Sequence, residues 1–246
     1  MKKFNLWLIL FFTLHFTLYT LHCLYAQQGG KFVFAQLSYS GNWDPRPGVW
    51  DRISEFLTMS TSVKSIQERQ IVTVKDEELF WLPFLVITGD SDFGKFSDNE
   101  IKIIIKYIQC GGMIFIDDSS GKKGSGFDKA IRDTVNRISP ENPLERIPTT
   151  DAILKSFYLL QNVSGRVITN RYFEGCKIGE RYSIIYSQND LLGVWEKDNL
   201  GNYIYPCDDK QRWEAKKMTI NIILYALTGT YKSDTIHLPF IKSKLK

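Results

Sequence analysis

Apolar residues along the chain fall into short runs and into helically spaced stripes, and the two kinds of pattern alternate. Residues 31–40 (KFVFAQLSYS) are apolar with alternation and predict a strand. The turn-rich loop Gly41 to Gly48 (GNWDPRPG) follows. Val49, Ile53, Phe56 and Leu57 then recur at helical spacing, which predicts a helix over 49–57. Ile71 to Val74 reads as a short β-branched strand. Phe84 to Thr88 is a continuous apolar run before Gly89-Asp90, the pattern of a strand buried on both faces. Ser97-Asp98-Asn99-Glu100 is a capping box. It opens a helix striped by Ile101, Ile104, Ile105 and Ile108 and stopped by Gly111-Gly112. Met113 to Ile116 is a second buried strand, ending at Asp117-Asp118-Ser119-Ser120-Gly121.

Beyond this point the pattern loosens. Phe127, Ile131, Val135 and Ile138 predict a helix ending before Pro140, and residues 139–150 form a proline-punctuated loop. Tyr182 to Tyr186 predicts a strand, residues 202–209 are irregular, and Trp213 to Leu227 predict a final helix before a polar tail, 231–246. No fixed-period repeat and no low-complexity linker divides the chain. Strands alternating with helices, two of them uninterrupted apolar runs, imply one α/β domain over residues 31–230. Its sheet should be doubly wound and mostly parallel, with elaborations after residue 140. In such folds ligands gather at the carboxyl ends of the strands. Here those ends carry Ser38-Tyr39-Ser40, Gly89-Asp90-Ser91-Asp92, Asp117-Asp118-Ser119-Ser120 and Ser187-Gln188-Asn189-Asp190.

The front of the chain carries an address. Lys2 and Lys3 precede an apolar stretch from Phe4 to Tyr25, with Ala26 at the cut and Gln27-Gln28-Gly29-Gly30 as a flexible new terminus. This is the layout of a secretory signal peptide over residues 1–26. The stretch also reaches the roughly 20 residues that an uncleaved anchor needs. His22 is too bulky for the small residue that lipoprotein processing at Cys23 requires. The expectation is an exported protein, periplasmic or secreted, with N-terminal anchoring in the inner membrane as the alternative. That segment would be its only contact with a membrane.

Composition then excludes whole classes. With 246 residues, 43% hydrophobic and 24% charged, the chain is globular in composition, which excludes disorder. Without Lys2 and Lys3, 29 basic residues of 31 remain against 27 acidic, a surplus of two that gives no electrostatic grip on nucleic acid. Cys110, Cys176 and Cys207 are odd in number, far apart and form no C-x-x-C pair, so they read as two or three buried small apolar residues, with one bridge as the alternative and a cysteine zinc site disfavoured. His15 and His22 lie in the leader, and the remaining histidine, His237, is in the tail. A hydrolase triad and catalytic zinc both need positioned imidazoles. No Walker loop is present, and Gly121, Gly124 and Gly126 miss the dinucleotide spacing, which disfavours nucleotide cofactors.

Carboxylates and aromatics are the positive chemistry. Asp90, Asp92, Asp117, Asp118, Ser119, Asp128, Asn189 and Asp190 form a candidate rim for a ligand or for a hard cation such as Mg²⁺ or Ca²⁺. Two of the carboxylates could pair for acid–base work. Side chains alternate along a strand, so at most one of Asp117 and Asp118 faces a given crevice. The competing role is structural: aspartates at strand ends cap helices and satisfy loop amides, and Asp128 favours a helix start anyway. Trp43 and Trp195, in polar loops, are candidate ligand contacts, whereas Trp50 and Trp213 fall in predicted helices and are assigned to the core.

Taken in order, these stretches resemble a bacterial family known as domain of unknown function 4159. The matching pieces begin with F-x-x-A-Q-L-x-Y-x-G-x-W-x-P, ending at Pro45, and L-F-x-x-P-F-L-x-x-T-G from Leu79 to Gly89. F-S-D-N-E and its helix follow, then G-G-M-I-F-I-D-D-S from Gly111 to Ser119, F-D-K at Phe127, L-E-R-I-P at Leu144 and Glu174-Gly175. Ser187-Gln188-Asn189-Asp190-Leu191 and N-I-I-L-Y-A-L-T-G from Asn221 to Gly229 complete the series. The resemblance implies a flavodoxin-like sheet similar to the class I glutamine amidotransferase superfamily, often in exported or membrane-anchored proteins. It implies no reaction. Relatives commonly show D-H-P where this chain reads Thr150-Asp151-Ala152, and no strand ends in a cysteine placed as an amidotransferase nucleophile. The expected role is a non-catalytic, envelope-associated domain that binds a ligand or an envelope protein partner at its strand-end loops. The alternative is a metal-dependent or carboxylate-based hydrolase of an envelope glycan, resting on Asp90, Asp117, Asp118 and Asp190.

Overall fold

Ala35–Leu37 (β2), Phe84–Gly89 (β5) and Met113–Asp118 (β6) lie side by side at the centre of the molecule. The computed structural model describes residues 31–179 and 181–228, so the leader and the polar tail lie outside the described residues. The remaining strands are Lys31–Phe32 (β1), Lys64–Ser65 (β3), Gln70–Val72 (β4), Glu145–Arg146 (β7), Glu174–Ile178 (β8) and Arg181–Ser187 (β9). Seven of them form one sheet in the order β4-β2-β5-β6-β9-β8-β7. The first five run parallel, while β8 and β7 extend the sheet antiparallel. Read along the chain, the parallel part has the doubly wound order 2-1-3-4-5, with its switch point between β2 and β5.

Among the described residues the four α-helices are Trp50–Ser60 (α1), Asp98–Gln109 (α2), Gly126–Ile138 (α3) and Asp209–Thr228 (α4). They cover both faces of the sheet. Phe34, Phe84, Val86, Phe115 and Ile185 point to the side of α1 and α4, where Ile53, Leu57, Met218 and Ile222 meet them. Leu37, Leu85, Ile87, Ile114, Ile116 and Ile184 point to the side of α2 and α3, against Ile104, Ile108, Ile131 and Val135. Burial on both faces is why the central strands read as unbroken apolar runs.

Local signals place the helices well. The Ser97 capping box is formed, with Ser97 Oγ accepting from the Glu100 amide and the Glu100 carboxylate accepting from the Ser97 amide at 2.8 Å. Ser125 caps α3 with its side chain alone, Oγ accepting from the Asp128 amide at 2.9 Å. Other expectations need correction. The strand expected over 31–40 is two short pieces, because the chain changes partner from β3 to β4: Phe32 O accepts from Ile66 and Phe34 O from Gln70. The strand β8 carries too little apolar character to announce itself. Among the described residues no helix is long and apolar enough to cross a membrane. The three cysteines among the described residues are free; Cys176 is buried, Cys207 half-buried and Cys110 exposed, so Cys110 is not a core residue.

Candidate functional site at the strand ends

The apolar interior stops abruptly at the carboxyl edge of the sheet. On the face of α1 and α4, Gln36, Thr88, Asp117 and Ser187 stand on four successive parallel strands in the layer just beyond the aromatic core, and all four are buried. Gln36 Nε2 donates to Thr88 Oγ1 at 3.0 Å, and both side chains donate to the Trp43 carbonyl at 2.8 Å. This ties the GNWDPRPG loop over the switch point. Arg69 joins from beside β4, donating to Gln36 Oε1 and, at 2.6 Å, to Asp44.

Asp117 accepts from the amides of Leu191 and Leu192 at 2.9 and 2.8 Å. Burial and the neighbouring Asp190 push its carboxyl up to about 7, against the pull of those two amides and the Ser187 hydroxyl. Asp190 itself has φ 47, the one left-handed non-glycine among the described residues. It holds Arg46 bidentately, at 3.2 Å from Nε and 2.7 Å from Nη2, and also accepts from Arg166 Nε. The Tyr205 ring lies 4.1 Å from the Arg46 guanidinium and 5.4 Å from that of Arg166. Nearby, Glu196 accepts from the Gly48 amide at 3.2 Å, and burial raises its pKa above the ordinary value.

Asp118 points the other way, as strand alternation requires. It accepts from the Ser120 amide at 2.9 Å and Ser125 Oγ at 2.8 Å, and burial raises its pKa. Asp128 is encircled by the Gly124 amide (3.0 Å), Arg132 Nε (2.9 Å), Tyr186 Oη (3.0 Å) and Gln188 Nε2 (2.7 Å). Asn189 brackets Asn170, accepting from its amide and donating to its carbonyl. Asp90 and Asp92 are exposed on the rim, bonded to the Asn42 side chain and the Gly94 amide.

The structure therefore splits the sequence-derived rim. Asp117 and Asp190 share one crevice; Asp118 and Asp128 share the opposite one; Asp90 and Asp92 join neither. Ser119 sits between, its carbonyl accepting from Arg46 Nη2 at 3.0 Å. Among the described residues no three acidic, histidine or cysteine side chains converge as a cation site. Every carboxylate oxygen of Asp117, Asp118 and Asp128 already accepts from at least one N–H or O–H donor.

The aromatic assignments are half corrected. Trp195 is 2% exposed, its ring against Phe56 and its Nε1 donating to Thr219 Oγ1 at 3.1 Å, so it is core and not a ligand contact. Trp213, assigned to the core, is 49% exposed on α4. Trp50 is buried as expected, and Trp43 is half-buried beneath the Arg69 guanidinium. Sequence reading missed Arg46, Arg166, Tyr205 and Glu196. An arginine between two prolines in a turn-rich loop was the only local hint of any of them. At the sheet edge the ends of β2 and β4 flank an open cleft of about 320 Å³, lined by Ser38, Ser40, Thr73, Lys75, Phe93 and Lys95 among others.

Residues 33–227 match a family described as a domain of unknown function, DUF4159. No curated protein matches the chain in sequence. Among solved structures, alpha-L-fucosidase isoenzyme 2 from Paenibacillus thiaminolyticus aligns at 9% identity with a TM-score of 0.32, over 81% of this chain and 33% of that one. The chain thus spans about a third of that protein's length. A likeness this distant carries no argument about activity.

Proposed function

Since the chain belongs to the DUF4159 family, a domain of unknown function, we propose that it is a non-catalytic binding domain exported to the cell envelope, holding a ligand or protein partner at its strand-end loops. The signal-like layout of residues 1–26 supports the address. One observation carries the binding reading: the strand-end carboxylates are spent on the protein itself. Asp117 holds two loop amides, Asp190 two arginines, Asp118 a turn and a helix cap, and Asp128 four donors. Groups so engaged tie the strand-end loops to the sheet, each carboxylate oxygen of Asp117, Asp118 and Asp128 already accepting at least one hydrogen bond from the protein. The cleft beside β2 and β4 supplies open space on the same edge, floored by Phe93 and rimmed by hydroxyls and lysines.

A second reading, carboxylate-based hydrolysis of an envelope glycan, is favoured by the raised pKa of Asp117 beside Asp190. Thermal unfolding with Mg²⁺, Ca²⁺, Mn²⁺ or chelator, and with a panel of envelope saccharides, separates the two. A saturating ligand at about 100 times its dissociation constant adds roughly 2.7 kcal/mol. The binding reading expects a rise with an organic ligand, none specific to a metal, and the same ligand response in D117N. A metal-specific rise lost in D117N, or glycan hydrolysis abolished by that change, overturns it.

A further inference from the structure

Arg46 and Arg166 approach one carboxylate, yet they use their donors very differently. Every N–H of Arg46 is engaged: Nε and Nη2 on Asp190, Nη2 also on the Ser119 carbonyl, and Nη1 on the Pro45 carbonyl and Tyr205 Oη. Arg166 commits only Nε, to Asp190, and among the described residues neither of its Nη groups has a partner. Its side chain is nonetheless largely enclosed, 18% exposed. Nη2 lies over the turn that follows β6: a Cβ on Gly121 would stand 3.4 Å from it. On that same turn the Ser119 hydroxyl is buried, with the residue 3% exposed, and has no hydrogen-bond partner.

Two guanidiniums thus share one carboxylate, Asp190, while Asp117 and Glu196 interact with Arg46 only through space. Enclosed guanidinium donors and a buried hydroxyl that lack a protein partner both cost free energy unless something fills them. We infer that Arg166 and Ser119 form an oxyanion subsite at the ends of β6 and β9, which takes a phosphate or carboxylate group of the ligand held at the strand-end loops. The inference rests on the binding reading above and names the chemistry of its ligand. A guanidinium fork matches either anion in a bidentate way, and a serine hydroxyl adds a third donor. Asp190 acts as a positioning residue, since it holds Nε and leaves both Nη groups without a protein partner. The Tyr205 ring lies within cation–π distance of both guanidiniums, 4.1 Å from Arg46 and 5.4 Å from Arg166. Lys122 and Lys123, exposed on the same loop, add the positive potential that draws an anion in.

The test titrates the full chain with inorganic phosphate and with D-galacturonate at constant ionic strength, chloride being the reference, and follows the unfolding midpoint. One of the two probes should raise the midpoint above chloride, and which one does tells phosphate from carboxylate. Arg166→Gln and Arg166→Lys should weaken the response at least tenfold, the second because it keeps the charge and loses the fork. Ser119→Ala should weaken it several-fold without lowering the stability of the anion-free protein, since the hydroxyl has no partner to lose. Lys102→Gln, on exposed α2, should leave the response unchanged. If Arg166→Gln fails to fold, Arg166→Lys and Ser119→Ala still decide. No effect beyond chloride, or a response that survives both Arg166→Lys and Ser119→Ala, overturns the subsite. A neutral saccharide that binds equally to wild type and Arg166→Lys overturns the subsite and leaves the binding reading standing. Turnover abolished by D117N overturns that reading while the anion response persists.

Discussion

Arg46 and Asp190, 144 residues apart in sequence, meet in a bidentate pair with neither side chain more than a tenth exposed, and so close the carboxyl edge of the sheet from two sides. Arg46 comes from the loop after β2 and Asp190 from the loop after β9. The pair therefore joins the start of the parallel sheet to its last strand. Burial raises the cost of each charge alone, so removing one partner should be far worse than removing both.

Arg46→Ala should lower the unfolding free energy by about 3 kcal/mol, because Asp190 then keeps Arg166 alone. In a double-mutant cycle with Asp190→Ala, the combined loss should fall short of the sum of the single losses by more than about 1 kcal/mol. Urea unfolding of the three variants measures this; additive losses would show that the pair contributes no coupling.

Asp117 gives the protein a signed pH dependence. Its folded-state pKa is raised from 3.8 to about 7, so between those values the unfolded chain releases a proton that the folded protein retains. The unfolded state then binds fewer protons, and stability falls as pH rises. Relative to D117N, the wild type should lose stability from about pH 4 to about pH 7 and level off above. Flat relative stability across that window would place Asp117 as an ordinary ionised carboxylate.

Trp195 and Trp213 should exchange the roles that their sequence contexts suggest. Trp195→Ala should cost about 3–5 kcal/mol, the range for deleting a buried aromatic. Trp213→Ala, on a half-exposed ring against Phe56, should cost less than about 1.5 kcal/mol. Guanidinium chloride midpoints of the two variants suffice, and the reverse ranking would mean that Trp213, not Trp195, is the buried ring.

Gly89, the last residue of β5, is hemmed in by the Tyr39 hydroxyl and the Phe127 ring, both closer than a Cβ tolerates. Tyr39 Oη donates to the Thr88 carbonyl at 2.6 Å and its ring packs at a tilt on Phe93, so it plugs the α2–α3 side of the switch point. Gly89→Ala should displace Tyr39 and cost about 1–3 kcal/mol. A thermal melt together with the Tyr39 ring resonances would reveal it; an unshifted Tyr39 would mean that the crevice is open.

The sequence by itself determined the α/β class, the two central strands, the capped helices α2 and α3, and the strand-end position of the polar loops. Each of these is written in contiguous residues: an unbroken apolar run, a Ser-x-x-Glu box, a stripe at helical spacing, an aspartate straight after a strand. It also showed, through strand alternation, that Asp117 and Asp118 would part company. Tertiary structure alone decided which residues each would meet. Arg46 reaches Asp190 across 144 positions, and Arg132 reaches Glu174 across 42, on a strand too polar to be foreseen. The same holds for burial of single aromatics: Trp195 lies in a polar stretch yet is covered by α1 and α4, while Trp213 lies in a helix yet faces out. Local periodicity reports which face of an element is apolar; what that face, or a charge at its end, packs against depends on chain segments brought together only when the sheet closes.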